Sequence, residues 1–273
     1  MDAGLSGRNA LVTGGGSGIG FAIAEALVAE GVRVVIASRN PNQEAVERLR
    51  RGGSAFSIRA DVRNEAEVVR MVSEAEAVLG GLDLFVNCAA VAHHQPITRW
   101  SMDAWRSTID TNVTASIVAC REVSRTFIRQ GRGSILIVGS TTLSAALPQE
   151  TSYRASKAAL KAHMEVLAVE LAPFEIRVNM LTPGAFDTPL VASAKPEQRH
   201  FVIAQVPVRR EAEPVELGAT AVLLLSDRLS PYTTGAEFRV DGGLSLRPMF
   251  GGTDTELRRL NEPGPNQVDP WRD

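Results

Sequence analysis

The stretch Asn9-Ala10-Leu11-Val12-Thr13-Gly14-Gly15-Gly16-Ser17-Gly18-Ile19-Gly20 constrains the rest of the chain more than any other. A short apolar run passes without a linker into a glycine cluster. The glycines pass directly into the helical pattern Phe21-Ala22-Ile23-Ala24-Glu25-Ala26-Leu27. Strand, tight turn and helix in that order open a βαβ unit, which commits the following chain to a parallel sheet. Glycine lets the backbone turn sharply and approach a pyrophosphate, whose charge rests on the free N–H groups at the helix N-terminus. Gly14, Gly16, Ser17, Gly18, Ile19 and Gly20 are therefore candidate contacts to a dinucleotide. The spacing is Gly-x-x-x-Gly-x-Gly rather than the Gly-x-Gly-x-x-Gly of other dinucleotide folds.

The next apolar run, Arg33-Val34-Val35-Ile36-Ala37-Ser38, ends where an acidic residue would bind the 2'-hydroxyl of NAD, about twenty residues past the loop. Here stand Ser38 and Arg39, a hydroxyl and a guanidinium that suit a 2'-phosphate. The expectation is NADP(H) in preference to NAD(H). A helix near Gln43 to Arg51, a strand from Ala55 to Ala60, a helix from about Glu65 to Leu79 and a strand from Leu82 to Val86 continue the alternation. Such alternation predicts an α/β fold, a doubly wound parallel sheet with helices on both faces. Asp61, Val62 and the segment Asn87-Cys88-Ala89-Ala90 then lie at strand C-termini, on the edge where ligands bind, with capping of a helix as a second possibility for Asp61. His93 and His94 follow in a loop. Neighbouring histidines without a carboxylate or cysteine at ligand spacing are a pocket wall or a solvated loop, and no metal is expected.

Met102 to Gln130 reads as one long helix with Asn112 in its interior, an awkward place for a side chain that competes with the backbone unless a polar partner compensates. The apolar run Ile135 to Val138 delivers Ser140. Thirteen residues on, Tyr153 and Lys157 are spaced by four, which on a helix puts phenol and ammonium on one face. A nearby positive charge favours the phenolate and moves the phenol toward acid-base work at neutral pH. Of the 29 lysines and arginines only those at 157, 161 and 195 are lysine, so a compact ammonium at Lys157 stands out. A further strand, Ile176 to Leu181, ends in Thr182-Pro183-Gly184-Ala185-Phe186-Asp187-Thr188. The segment 188–206 is expected to be a mobile lid over the site edge. Glu216 to Leu225 reads as a helix and Ala236 to Gly243 as a last strand and turn. Residues 1–246 are thus expected to form one dinucleotide-binding and catalytic domain, with 247–273 a tail or an arm to a neighbouring subunit.

A net charge of −2 and a pI near 6.1 give no electrostatic footprint for nucleic acid or an anionic membrane. The N-terminal residues lack a basic stretch followed by an apolar one, and no apolar run approaches the roughly eighteen residues of a membrane span. The expected setting is the cytoplasm. Cys88 and Cys120 sit singly in apolar stretches, as reduced thiols do.

Taken together, Thr13 to Gly20, Asp61-Val62, Asn87-Cys88-Ala89-Ala90, Asn112, Ser140, Tyr153 with Lys157, and Pro183-Gly184 with Thr188 resemble the short-chain dehydrogenase/reductase family of the compact single-domain type, over about Ser6 to Leu246. Cys88 and Ala90 depart from the family's Asn-Asn-Ala-Gly but conserve size. The resemblance implies a Rossmann-type sheet of about seven strands in the order 3-2-1-4-5-6-7. It also implies hydride transfer between nicotinamide C4 and a carbonyl or secondary alcohol carbon. On that basis Tyr153 is the general acid or base, Ser140 holds the carbonyl oxygen, Lys157 binds the nicotinamide ribose, and Asn112 anchors a water behind Lys157. Pro183, Gly184, Phe186 and Thr188 hold the carboxamide end, and Asn87 and Ala89 line the cofactor. The substrate pocket would draw on His93, His94, Thr142, Leu143, Gln149, Phe186 and Leu190. The expected partner is a small-molecule carbonyl or alcohol, and the chain is expected to form a tetramer or dimer. An NAD-dependent alcohol, polyol or sugar dehydrogenase and a non-catalytic cofactor sensor are the alternative readings.

Overall fold

A computed structural model of the chain describes residues 2–40, 42–192 and 196–246. The expected tail or arm at 247–273 and Lys195 of the expected lid lie outside the described residues. Seven parallel strands form one sheet in the order β3-β2-β1-β4-β5-β6-β7. The strands are β1 Asn9–Thr13, β2 Arg33–Ser38, β3 Ala55–Arg59, β4 Leu84–Asn87, β5 Gly133–Val138, β6 Ile176–Pro183 and β7 Glu237–Val240.

The helices divide between the two faces because the strands are apolar at successive positions rather than alternate ones. In β1, Ala10 and Val12 enter one core, shared with α1 (Gly18–Ala29), α2 (Gln43–Gly52) and α8 (Gly218–Leu225). Leu11 enters the other, shared with α3 (Glu65–Leu79), α5 (Ala115–Gln130) and α6 (Thr151–Leu171). In β5, Leu136 and Val138 face the first core and Ile135 and Ile137 the second. Period-two alternation between two buried faces is what a parallel sheet covered on both sides demands. Fully buried side chains such as Leu11, Ile36, Phe85 and Leu136 each contribute about 1.5–3 kcal/mol by leaving water.

Several element bounds differ from the sequence expectation, three of them for local reasons. The strand expected from Leu82 starts at Leu84, and the buried Asp83 carboxylate just before it accepts from Asn9 N at 3.0 Å and from Arg8 at 3.2 Å. The helix expected from Glu216 starts at Gly218. Glu216 lies in a 3-10 turn, Pro214–Leu217, where it and Glu213 form a reciprocal capping box. The long helix from Met102 is α4 (Met102–Ile109), then a π-helical turn at Asp110–Thr114, then α5. Among the described residues no helix is long and apolar enough to cross a membrane.

The chain winds from β1 outward to β3 and then returns to place β4 on the other side of β1, so the loops after β1 and β4 part and leave a crevice. Thr13 ties its two walls. Its Oγ1 accepts from Cys88 N at 3.1 Å and Ala89 N at 3.3 Å. Gly14 follows with φ +68°, and a Cβ there would stand 2.9 Å from Ala89 Cα. Gly80, the C-cap of α3, has a similar φ of +75° with open space around it. Gly80→Ala should therefore show only the cost of left-handed backbone, about 1 kcal/mol. Gly14→Ala adds a backbone clash and should lose about 3 kcal/mol or more. Urea unfolding of both variants checks the difference.

Candidate active site

Ser140 follows β5 directly, in extended backbone, and its Oγ accepts from Thr142 N at 3.2 Å to start a 3-10 turn, Thr141–Leu143. Glu150 precedes α6, and Tyr153 and Lys157 project from the first turns of that helix. The Ser140 hydroxyl stands near enough to the Tyr153 hydroxyl to favour its phenolate. Lys157 is buried, donates from Nζ to Val138 O at 2.8 Å and stands 5.6 Å from the centre of the Tyr153 ring. The ammonium thus fastens α6 to the end of the strand that carries Ser140.

Burial sets the electrostatics. Desolvation pushes the Tyr153 hydroxyl well above the ordinary phenol value, although the residue keeps some exposure to the cleft; the Ser140 hydrogen bond opposes the shift and the Glu150 charge adds to it. Desolvation brings Lys157 down to about 8. In the protein alone, loss of water outweighs the hydrogen bond from Ser140 that favours the phenolate.

Asn112 owes its position to the π turn, where the wider coil aims its carboxamide at the chain after β4. Oδ1 accepts from Val91 N at 2.8 Å, and Nδ2 donates to Val91 O and Ser156 Oγ, both at 3.0 Å. That leaves the side chain one acceptor position for a water. Asn112 itself does not line the cleft.

A cleft of about 1230 Å³ runs from the glycine loop past this cluster to α7 (Pro196–Ile203). Of the residues expected to meet a dinucleotide, Gly14, Ser17, Gly18, Ile19, Gly20, Ser38, Arg39, Val62, Ala89, Tyr153, Lys157, Pro183, Gly184, Phe186 and Thr188 line it. Three do not. Gly16 lies behind the lining, facing Asn42 and Ser38. The Asn87 side chain turns inward and donates to Ser116 Oγ at 2.8 Å. Asp61 opens into a separate shallow hollow, where Arg63 brings its carboxyl down to about 2. Nor does Asp61 cap α3, since Asn64 accepts from Ala66 N and Glu67 N there.

At the substrate end His93, His94, Thr142, Gln149, Phe186 and Leu190 line the cleft. Leu143 does not; it packs against the second core. Among the described residues no group of three or more His, Cys, Asp or Glu could hold a metal ion. Cys88 borders the cleft, and burial pushes its thiol up to about 11. The sequence reading omitted Glu150, whose carboxylate lines the cleft and accepts from Thr142 Oγ1 at 2.9 Å. Burial pushes its carboxyl above the usual range. The signal was its place three residues before Tyr153, one turn away on the same face. Arg199 and Glu211 were also omitted. Arg199 Nη2 reaches Asp187 Oδ1 at 2.8 Å and Glu211 Oε2, and so holds α7 to the loop after β6.

The chain matches the family model described as enoyl-(acyl carrier protein) reductase over residues 14–245. It is 35% identical to 3beta-hydroxysteroid dehydrogenase 1 of Eggerthella lenta, over 90% of this chain and 97% of that one. Among solved structures it resembles a short-chain type dehydrogenase/reductase from Mycobacterium marinum, with a TM-score of 0.84 at 32% identity, covering 89% of this chain and 97% of that one. It also resembles a gluconate 5-dehydrogenase from Burkholderia cenocepacia in complex with NADP and tartrate, with a TM-score of 0.85 at 30% identity, covering 90% and 98%.

The Lys157 shift has a consequence for stability. Below pH 8 both folded and unfolded chains hold the proton, and the folded chain carries the cost of a buried ammonium. Between about 8 and the ordinary value of 10.5 the unfolded chain binds more protons, so stability rises with pH. In urea unfolding, the stability of the natural protein relative to Lys157→Met should improve as pH goes from 7 to 9.5. A gap that does not change with pH would contradict the shift.

Proposed function

The chain belongs to the short-chain dehydrogenase/reductase family, oxidoreductases that bind a nicotinamide cofactor, and from that premise we propose that it moves a hydride between nicotinamide C4 and a carbonyl or secondary alcohol carbon, with NADP(H) preferred over NAD(H). The observation that carries this reading is the joint placement of Ser140, Tyr153 and Lys157 on one wall of a cleft that continues to the glycine loop.

The residues present fit the cofactor. Helix α1 starts at Gly18 with no side-chain cap and no acid in its first turn, so its N–H groups are free for a phosphate. Gly14 and Gly18 take left-handed backbone at that turn. Ser38 and Arg39 border the cleft at the end of β2, and the acid nearest in sequence on that edge, Asp61, is spent on Arg63. This supports a 2'-phosphate, as does the NADP held by the Burkholderia relative.

Bound there, the nicotinamide supplies or accepts the hydride. The protein's own residues manage the oxygen. In reduction Tyr153 gives its proton to the carbonyl oxygen while Ser140 donates a hydrogen bond to the same atom and steadies the developing alkoxide. In oxidation Tyr153 takes the proton back. Lys157 has two N–H donors beyond the one on Val138 O, and these would hold the ribose hydroxyls. Its charge favours the form of Tyr153 that has given up its proton. Phe186, Thr188 and the backbone of Pro183-Gly184 would hold the carboxamide end.

Tyr153→Phe should lower kcat for ketone reduction by a factor on the order of 10³, as loss of a general acid does, with NADPH affinity within about threefold of the natural protein. Turnover at the natural rate would overturn the assignment. Arg39→Asp should weaken NADPH binding by about 10- to 100-fold by removing a charge-assisted bond and shift preference to NADH; unchanged NADPH affinity would count against the 2'-phosphate role.

A further inference from the structure

The substrate end of the cleft holds a charge that the hydride-transfer chemistry leaves unused. The Glu150 side chain is only 11% exposed and borders the cleft one turn before Tyr153. Oε2 accepts from Thr142 Oγ1. Oε1 has no hydrogen bond among the described residues; His94 Nδ1 is 3.9 Å away, beyond hydrogen-bond reach. A carboxylate offers about four acceptor positions, so Glu150 has acceptor capacity left that faces the cleft.

The neighbouring cations act on Glu150 only through space: Arg154 and His94 hold its carboxyl down by their charge but neither donates a hydrogen bond to it. Arg154 Nη1 donates to Thr142 O and Nη2 to Leu143 O at 3.1 Å. Arg199 is taken by Asp187 and Glu211. The backbone holds Glu150 in place at a cost. Gln149 sits at φ 71°, a costly conformation for a side chain of its type, and its carbonyl accepts from Gln95 N at 3.1 Å. A second polar atom on this wall, His93 Nε2, is buried without a partner. The wall therefore presents one carboxylate oxygen without a hydrogen-bond donor among the described residues.

We propose that Glu150 is a specificity-determining residue whose Oε1 accepts a hydrogen bond from a second hydroxyl of the substrate, one or two carbons from the reacting carbon. The substrate class is a neutral hydroxy ketone or the corresponding diol, and a carboxylate at that position is rejected by like charge. This rests on the hydride-transfer reading above. A site built to hydrogen-bond a hydroxyl discriminates strongly against the analogue without one, because its own polar group is otherwise left unpaired.

The test is NADPH-dependent reduction of 2-hydroxycyclohexanone, cyclohexanone and 2-oxocyclohexanecarboxylate by the natural protein, Glu150→Gln and Glu150→Ala. The natural protein should favour the hydroxy ketone over cyclohexanone at least about tenfold in kcat/KM. Glu150→Ala should bring that ratio near one, chiefly through KM. Glu150→Gln, which keeps an acceptor without the charge, should retain part of the preference and admit the carboxylate. Calorimetric titration of cyclohexane-1,2-diol and cyclohexanol into the Tyr153→Phe protein loaded with NADP+ gives a readout free of turnover, and only the diol should weaken when Glu150→Ala is added. Equal ratios in all three proteins, or equal diol affinity with and without Glu150, would overturn the proposal while leaving hydride transfer standing. Absence of hydride transfer to every ketone by the natural protein would overturn both.

Discussion

A parallel sheet covered on both faces has only its strand ends left for polar work, and this chain places its chemistry there. Gly14 follows β1, Ser38 ends β2, Cys88 and Ala89 follow β4, Ser140 follows β5, and Pro183 ends β6. The winding order makes the ends of β1 and β4 part company, and Thr13 Oγ1 holds the two walls at a set distance through the Cys88 and Ala89 N–H groups. Lys157 does the equivalent work between layers, reaching from α6 to Val138 O at the end of β5. Helix, strand and cleft are thereby fastened at one buried nitrogen.

The same burial decides the electrostatics. Tyr153 and Glu150 are pushed up and Lys157 down, so all three groups move toward their neutral forms. Hydrogen bonding from Ser140 opposes the shift, and under our reading the positive ring of an oxidised nicotinamide supplies the missing attraction. Removal of water that would otherwise screen these charges makes each of them stronger in its effect on the others. A carboxylate at Glu150 makes the phenolate harder still to form, which gives the substrate hydroxyl proposed to cover it an electrostatic consequence as well as a recognition role.

Much of the fold was legible because two simple periodicities carry it. Uninterrupted apolar strands separated by helical stretches predict a two-faced parallel sheet, and the observed order is the one the family resemblance implies. The glycine loop and the Tyr153–Lys157 spacing were legible because backbone turns and helix faces are local. What was missed depends on side-chain direction or on the third dimension. Leu143 and Asn87 lie in the right segments but point into the core and toward Ser116. Asp61 is diverted by Arg63, two residues away. The π turn at Asn112 brings it to Val91 and Ser156, which are remote in sequence. Glu150 was not singled out because its burial comes from the loops from 91 to 95 and 141 to 149 that close around it.

Burial raises the Tyr153 hydroxyl further above the ordinary value, and under our reading oxidised cofactor brings it back down. The chain has two tyrosines, and the other, Tyr232, is fully exposed. In a Tyr232→Phe variant the phenolate absorbance therefore reports Tyr153 alone. The expected result is a titration midpoint well above the ordinary value of 10 without ligand and a midpoint moved clearly downward with saturating NADP+. A midpoint near 10 that NADP+ leaves in place would contradict the account.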